Sequence, residues 1–411
     1  MTSWTEAVLG ARLAVTPTRA WAFGERPVEL GLRHNPKRAQ LLVSRLLGKH
    51  IPVPVGDVAA AGEALGQLVH ATCAGERPVV IGFAETATAL GHAVAAATGY
   101  DGVARYLHTT RRPVAVGSSV LRFLEEHSHA VDQMLVIDGM PTPGPDVPVV
   151  LVDDELTTGT SALNAIRALQ EVYPRYRYVL ASLVDGRSEE QRAANARAVR
   201  ELGADLVSVA LYDAELYLPP DVLSRAATAS AAAPISSPPV AHAAPISRLQ
   251  LQLPPSSRST ASTAWGDVAE ATARAAAAEC AERLQGAPDG RTLVLGDEEF
   301  MYLPQLVAAA LGPDVRVSAT TRSPAVVIDI VGYPLRTGLR FAATSESSRC
   351  AYAYNVSRAD AHADPGNAPG FDDIVFVTDS ALEPHVDAGL ISQLAASARV
   401  GVTVVSVVTS C

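Results

Sequence analysis

The chain has 411 residues, of which 48% are hydrophobic and 18% charged, and its formal net charge is -10. That length accommodates two or three domains with real cores, and the balance of residue types describes a soluble globular protein. The acidic excess argues against nucleic acid as the main partner, because a duplex binder presents a basic face, although local basic clusters for a small anion remain open.

Cys73, Cys280, Cys350 and Cys411 lie far apart with no CxxC spacing, so neither a disulfide framework nor a zinc site is expected. The opening MTSWTEAVLGARLAVT lacks a basic start followed by a long apolar core, and nowhere do about 18 apolar residues run together. A cytoplasmic protein with no membrane partner is the expectation.

Residues 1–222 read as one unit, with strands near 79–82, 104–108, 149–152 and 178–184 and helices between them. The first basic tract, LRHNPKRAQLLVSRLLGKH, offers Arg33, His34, Lys37, Arg38, Lys49 and His50. Helical spacing after Pro36 would bury Leu41, Leu42 and Leu46 and leave some of these charges as a wet face, while Lys37 and Arg38 are candidates for contact with a substrate. After the strand at 79–82 comes the short loop Phe83, Ala84, Glu85, Thr86 and Ala87, which either caps a helix or binds an anion. The segment LHTTRRPVAVGSSVLRFLEEHSHAVDQML then gathers Arg111 and Arg112, whose guanidinium groups suit bidentate contact with phosphates, and the cluster EEHSH. Within it His127 and His129 share a side if extended, next to Glu125. Metal ligation, a lid contacting substrate and plain surface structure are all compatible with that cluster.

The most informative stretch is VVLVDDELTTGTSALNAI, residues 149–166. It reads as a buried parallel strand, Val149 to Val152, then a tight loop and a helix from about Ser161. In open α/β sheets ligands sit beyond the carboxyl ends of the strands, where the next helix offers free N–H groups to an anion. Thr157, Thr158, Gly159, Thr160 and Ser161 suit a phosphate, whereas Asp153 and Asp154 would repel it unless they faced hydroxyls or a divalent cation. A sugar phosphate with a vicinal diol and bound magnesium meets both demands. A simple helix cap would need one such residue, not seven in order.

Around Ala226 the composition turns to Ala, Ser and Pro, so residues 223–263 are read as a linker and 264–411 as a second domain. That domain opens near Trp265 with the helix DVAEATARAAAAECAERLQ and continues with RTLVLGDEEFMYLPQLVAAAL as strand, loop and helix. The two halves echo one another. Arg77, Gly82 and Glu85 map onto Arg291, Gly296 and Glu299 without a gap, and Thr109, Thr110, Arg111 and Pro113 map onto Thr320, Thr321, Arg322 and Pro324 after a three-residue deletion. LRF recurs at 121 and 339, and DIVFVTDSALEPHVDAGLISQL stands in the place of the acidic strand and its helix. An internal duplication is inferred, with convergent α/β patterning as its alternative. In the second copy Asp379 stands alone where the acid pair should be and the TTGT run is missing, so that half is read as accessory, on the acceptor side, with Glu299 and Arg322 as candidate contacts.

The motif DDELTTGTS resembles the signature of the type I phosphoribosyltransferases. The resemblance implies a twisted, mainly parallel α/β sheet with a hood, binding of phosphoribosyl pyrophosphate (PRPP), and magnesium carried with PRPP and held through Asp153 and Asp154. It further implies that the acids hold the ribose hydroxyls, that residues 157–161 hold the 5′-phosphate, that the loop Ala84, Glu85, Thr86 and Ala87 takes pyrophosphate, and that Arg111 and Arg112 close over it. Together GFAETATALG, HTTRRP, EEHSH, NPKR with LLGKH, GDEEFMY and TTRSP are similar to a bacterial family in which an orotate-type phosphoribosyltransferase domain precedes a domain named for its TRSP sequence. Members of that family accompany tellurite-resistance-type stress operons, which implies synthesis of a nucleoside-like metabolite. The acceptor stays open. Enzymes that salvage 6-oxopurines have an aspartate where this loop has Thr157, so a pyrimidine-like or other small nucleophile is the more compatible class. A homodimer and a non-catalytic PRPP sensor are also left open.

Overall fold

A computed structural model describes residues 3–21, 23, 27–35, 38–124, 132–232, 243–257, 264–284, 291–357 and 370–409. The EEHSH residues Glu125, His127 and His129, and also Lys37, lie outside the described residues.

The architecture is α/β, built on two six-stranded sheets. In the first, the strand order is Arg12–Pro17, Asp205–Tyr217, Arg177–Asp185, Val149–Leu156, Val79–Gly82 and Tyr106–His108, all parallel except the antiparallel edge strand Arg12–Pro17. Val79 to Ile81 and Val149 to Val152 are at most 2% exposed, as expected of apolar runs covered on both faces. The second sheet runs Ile246–Leu253, Gly401–Thr409, Asp373–Thr378, Thr292–Gly296, Arg316–Ala319 and Val53–Pro54, again parallel except for its last strand. Four strands of each sheet therefore follow the same order and direction, and each half adds one antiparallel hairpin, Val120–Leu124 with Asp132–Val136 and Gly338–Ala342 with Cys350–Tyr354. The repeated LRF falls on the first strand of each hairpin.

The halves also exchange edge segments. Val53–Pro54, which leads into the helix Val55–Thr72, closes the edge of the second sheet by pairing with Arg316–Ala319. Trp265, just ahead of the helix Asp267–Leu284, closes the edge of the first by bridging Tyr106. Both helices begin in a GDVA tetrapeptide, at 56–59 and 266–269, a recurrence that extends the internal repeat upstream of the segments aligned above. One apolar core runs through both halves: Leu65, Val80, Trp265, Phe300, Leu303 and Val377 belong to it, and Trp265 is fully buried. At its centre the His92 and Tyr302 rings stack 4.0 Å apart. Burial of this extent across the junction makes the halves one folding unit.

Three expectations are corrected. The strand expected at Val149–Val152 continues to Leu156, so the acidic residues sit on the strand itself. Residues 40–44 form a strand, not a helix: Leu41 and Val43 are buried while Gln40, Leu42 and Ser44 are half-buried, a period of two that pairs with Val28–Leu32 in a hairpin. Finally, the segment read as linker contains the helix Val222–Ala232 and the strand Ile246–Leu253. Its LQLQL alternation buries Leu251 and Leu253 against the second half, a signal outweighed by the surrounding Ala, Ser and Pro. No helix among the described residues is long and apolar enough to cross a membrane.

Candidate functional site

The acidic strand leads through Thr157 and Thr158 to Gly159 and the helix Thr160–Val172. Gly159 has φ +80°, and a Cβ there would lie 2.2 Å from Oδ1 of Asn195, so both the left-handed turn and the close approach require glycine. Asn195 is held in place from behind by the buried Arg187, which donates from Nη1 at 2.9 Å and is itself paired with Asp185. Gly159 supplies no side-chain cap, and the Thr160 N–H donates to the Thr158 hydroxyl at 3.3 Å, which leaves the next N–H groups of the first turn to an anion, with the Thr158 and Thr160 hydroxyls 3.0 Å apart beside them. Gly159→Ala is expected to cost about 1–3 kcal/mol of stability and to abolish anion binding at the turn, as read by chemical denaturation and by calorimetry with PRPP. Wild-type affinity in that variant would contradict the assignment.

The loop after Val79–Gly82 is clamped from two sides. The Thr109 hydroxyl accepts from the Ala84 N–H at 2.8 Å and donates to Gln133 Oε1 at 2.6 Å, while the Gln133 amide donates to the Ala84 carbonyl. The Ala84–Glu85 peptide is cis. Glu85 is 5% exposed, and its carboxylate meets the buried Lys49 ammonium at 2.5 Å and accepts from the Arg322 N–H at 3.3 Å. Burial acts to raise the Glu85 pKa, but Lys49, Arg111 and Arg322 outweigh it and hold the carboxyl below the usual range. Glu85 therefore carries the Arg322 turn and is already engaged by protein cations.

These pieces enclose a cavity of about 380 Å³. Its walls bring together Ala84, Glu85 and Thr86 from the loop, Arg111, the acids Asp153 and Asp154, and all five residues Thr157 to Ser161. Arg33, Arg38, Leu41, Leu42 and His50 enter from the N-terminal hairpin region, and Arg322, Ser323, Arg349 and Cys350 from the second half. Arg38 spans the mouth to Glu155 at 2.7 Å. Desolvation in the cavity and the neighbouring Glu155 push the Asp154 carboxyl up to about 6. Burial and the charge on Lys49 lower His50 to about 3, so its imidazole is neutral; its Nε2 has no hydrogen-bond partner among the described residues.

Other candidate residues lie elsewhere. Ala87 is fully buried at the start of the helix Thr88–Thr98 and does not line the cavity. Glu299 accepts from the Thr110 hydroxyl and from the Arg111 N–H at 3.2 Å, so it supports the arginine turn from beneath. Arg112 points away from the cavity: Nη1 donates to Asp379 Oδ1 at 2.7 Å and Nη2 to the Asp297 carbonyl at 2.6 Å, both in the second half. The expectation that Arg112 closes over pyrophosphate is thus corrected, because buried acids of the other half hold its guanidinium. Arg349 and Gln133 carry no local motif, and TTRSP does not by itself mark Ser323 as a cavity residue, so only the folded chain shows their place.

A family model described as phosphoribosyl transferase matches residues 28–215, and one described as the TRSP domain C-terminal to it matches residues 259–394. No curated protein matches the chain. Solved structures similar to it include APRTase from Giardia lamblia complexed with 9-deazaadenine, at 19% identity over 44% of this chain and 91% of that one, with a TM-score of 0.32. Orotate phosphoribosyltransferase from Aeropyrum pernix matches at 22% identity over 45% and 87%, with a TM-score of 0.28. Adenine phosphoribosyl transferase from Trypanosoma brucei, in complex with AMP, pyrophosphate and ribose-5-phosphate, matches at 12% identity over 46% and 76%, with a TM-score of 0.31.

Proposed function

We propose, for a chain that joins a phosphoribosyl transferase domain to a C-terminal TRSP domain, that it transfers the 5-phosphoribosyl group of PRPP to a small acceptor and releases pyrophosphate. One observation carries this reading: a single cavity joins a pair of acids at a strand end, a hydroxyl-lined turn at an uncapped helix start, and arginines from both halves. Residues 157–161 hold the 5′-phosphate, and Asp153 and Asp154 accept from the ribose hydroxyls. The clamped loop at Ala84 to Thr86, with Arg111 and Arg322, receives the pyrophosphate.

Among the described residues no group of three His, Cys, Asp or Glu side chains forms a cage for a metal ion. Magnesium keeps several waters and binds through one or two carboxylates together with substrate phosphates, and Asp153 with Asp154 fits that donor set. When bound, the ion neutralises charge on the leaving pyrophosphate. The protein's own part is positional and electrostatic. As the C1–O bond to pyrophosphate breaks, charge accumulates on the leaving oxygens beside Arg111 and Arg322, and the acceptor's lone pair attacks C1 from the opposite side. Leu41, Leu42, the neutral His50 and Arg33 supply an apolar and hydrogen-bonding wall for that acceptor, which suits a pyrimidine-like or other small nucleophile leading to a nucleoside-like product.

The test is pyrophosphate release from PRPP with magnesium, alone and with a cell extract as the source of acceptor. Release accompanied by a new phosphoribosylated mass is the expected result. Tight PRPP binding without any release would identify a sensor instead. The rate should also depend on pH. Asp154, raised to about 6, is neutral below that value and becomes the stronger, charged acceptor for the ribose hydroxyls only when ionised, so kcat/KM should rise with pH between about 5 and 7. Glu85, held below the usual range, stays ionised throughout and contributes nothing to that limb. A flat profile across the window would remove Asp154 from this role.

A further inference from the structure

The two halves make reciprocal contacts in which each turn is held by the other half. In the first half the Thr109 N–H donates to the Gly82 carbonyl at 2.9 Å, and in the second the Thr320 N–H donates to the Gly296 carbonyl at 2.9 Å. The Thr109 hydroxyl takes the Ala84 N–H at 2.8 Å, and the Thr320 hydroxyl takes the Glu298 N–H at 2.9 Å. Thr110 bridges Met134 as Thr321 bridges Tyr352. Across the junction, Glu299 accepts the Arg111 N–H at 3.2 Å and Glu85 accepts the Arg322 N–H at 3.3 Å. The next residue continues the match: the Arg112 N–H donates to the Thr110 hydroxyl at 3.0 Å and the Ser323 N–H to the Thr321 hydroxyl at 3.1 Å. Arg112 and Ser323 therefore occupy equivalent positions, each on one half and each facing the cleft of the other.

Strand register identifies what they face. Gly82 pairs with Val152 as Gly296 pairs with Val377, so Asp153 and Asp154 correspond to Thr378 and Asp379. Asp379, the counterpart of Asp154, is engaged by Arg112 at 2.7 Å. The second cleft is filled further, since Asp297 accepts from the Thr378 and Thr344 hydroxyls, each at 2.7 Å. In the first cleft the equivalent position is Ser323, whose side chain is too short to reach a carboxylate as Arg112 does, and the cavity is open there.

We infer that one position of the repeat selects which of two homologous acids can hold a sugar: Arg112 occupies Asp379 in the second half, and Ser323 leaves Asp154 accessible to the sugar in the first. The TRSP half is then an internal partner whose Asp379 is held by Arg112 beside a separate cavity along Ser380 to Leu382, and it lends Arg322 and Arg349 to the open one. Ser323 acts through Asp154 and is a positioning residue. This inference rests on the phosphoribosyl reading of the open cleft.

The experiment compares the full-length wild type, Ser323→Arg and Ser323→Gln by titration calorimetry with magnesium PRPP, alongside a crystal structure of ligand-free Ser323→Arg. The new guanidinium is expected on Asp154, repeating the pairing of Arg112 with Asp379. Affinity should fall by at least about 100-fold while the melting temperature holds or rises, because the guanidinium adds a charge-assisted pair to an acid whose charge burial and Glu155 disfavour. Ser323→Gln, which adds bulk without charge, should lose less than about 10-fold. Unchanged affinity in Ser323→Arg, or equal losses in both variants, would overturn the inference. A guanidinium turned into solvent in the crystal would overturn it whether or not the wild type binds PRPP. Failure of the wild type to bind PRPP while the guanidinium sits on Asp154 would uphold the closure and remove only the phosphoribosyl reading.

Discussion

Replacing Asp153 and Asp154 together by asparagine is expected to abolish pyrophosphate release, by at least about 1,000-fold, while leaving the protein folded. In the proposed reaction the change removes both anionic acceptors for the ribose hydroxyls and the donor set for magnesium, so it acts on ground-state binding and on alignment of C1 together. The fold should tolerate it for a specific reason. Burial and Glu155 raise Asp154 to about 6, so at neutral pH the native state holds this carboxylate at a cost; for an acid with a raised pKa, stability falls as pH climbs through that value. A neutral amide of the same shape removes the cost, and the double variant should melt at or above the wild-type temperature at pH 7.5. Retained turnover would refute the site assignment. Loss of turnover with collapse of the far-ultraviolet circular dichroism would show that these acids hold the fold instead.

Truncation of Arg112 should have the opposite signature. Its guanidinium touches Asp379 and the Asp297 carbonyl, lies 3.5 Å from Asp297 Oδ2 and 3.9 Å from Glu299 Oε1, and is itself 14% exposed. Burial acts against the charged form, but Asp379, Asp297 and Glu299 outweigh it and raise the pKa, so the cation is the anchor of this cluster. Arg112→Ala leaves several buried acids without their cation and should cost about 3–5 kcal/mol in urea denaturation. Arg111→Ala and Arg322→Ala, at residues that line the cavity, should instead weaken PRPP binding. If Arg112→Ala unfolds at the wild-type urea concentration but binds PRPP poorly, the original expectation of a pyrophosphate contact is restored.

The contrast between these arginines shows what kind of information a sequence holds. Features whose physics is local were legible: an apolar run that must be a covered strand, a glycine among hydroxyls that must be a turn at a helix start, and acids between them that need a hydroxyl or cation partner. The repeat of Thr-Thr-Arg and of the strand–helix order was also legible, because duplicated segments keep their local grammar even when their chemistry diverges. The hairpin at 28–44 was misread because apolar residues at 41, 42 and 46 satisfy a helical stripe as well as a strand, and only pairing with Val28–Leu32 settles the choice. Arg111 and Arg112 are neighbours of one type, yet one enters the cavity and the other the opposite half; the direction of a side chain leaving a turn depends on what packs on each side of it. Arg349 lay in no motif, and Ser323, although inside TTRSP, gave no sign that it faces the first half; only the packing of the halves against each other brings them to the cavity. The sequence by itself thus determined the hydroxyl-lined turn, the acid pair and the repeated strand–helix order, whose signals lie within a few residues of one another. Which acid stays accessible, and that the cavity wall is shared by both halves, was decided by the tertiary structure, because burial and charge pairing across the junction join residues 237 and 267 positions apart.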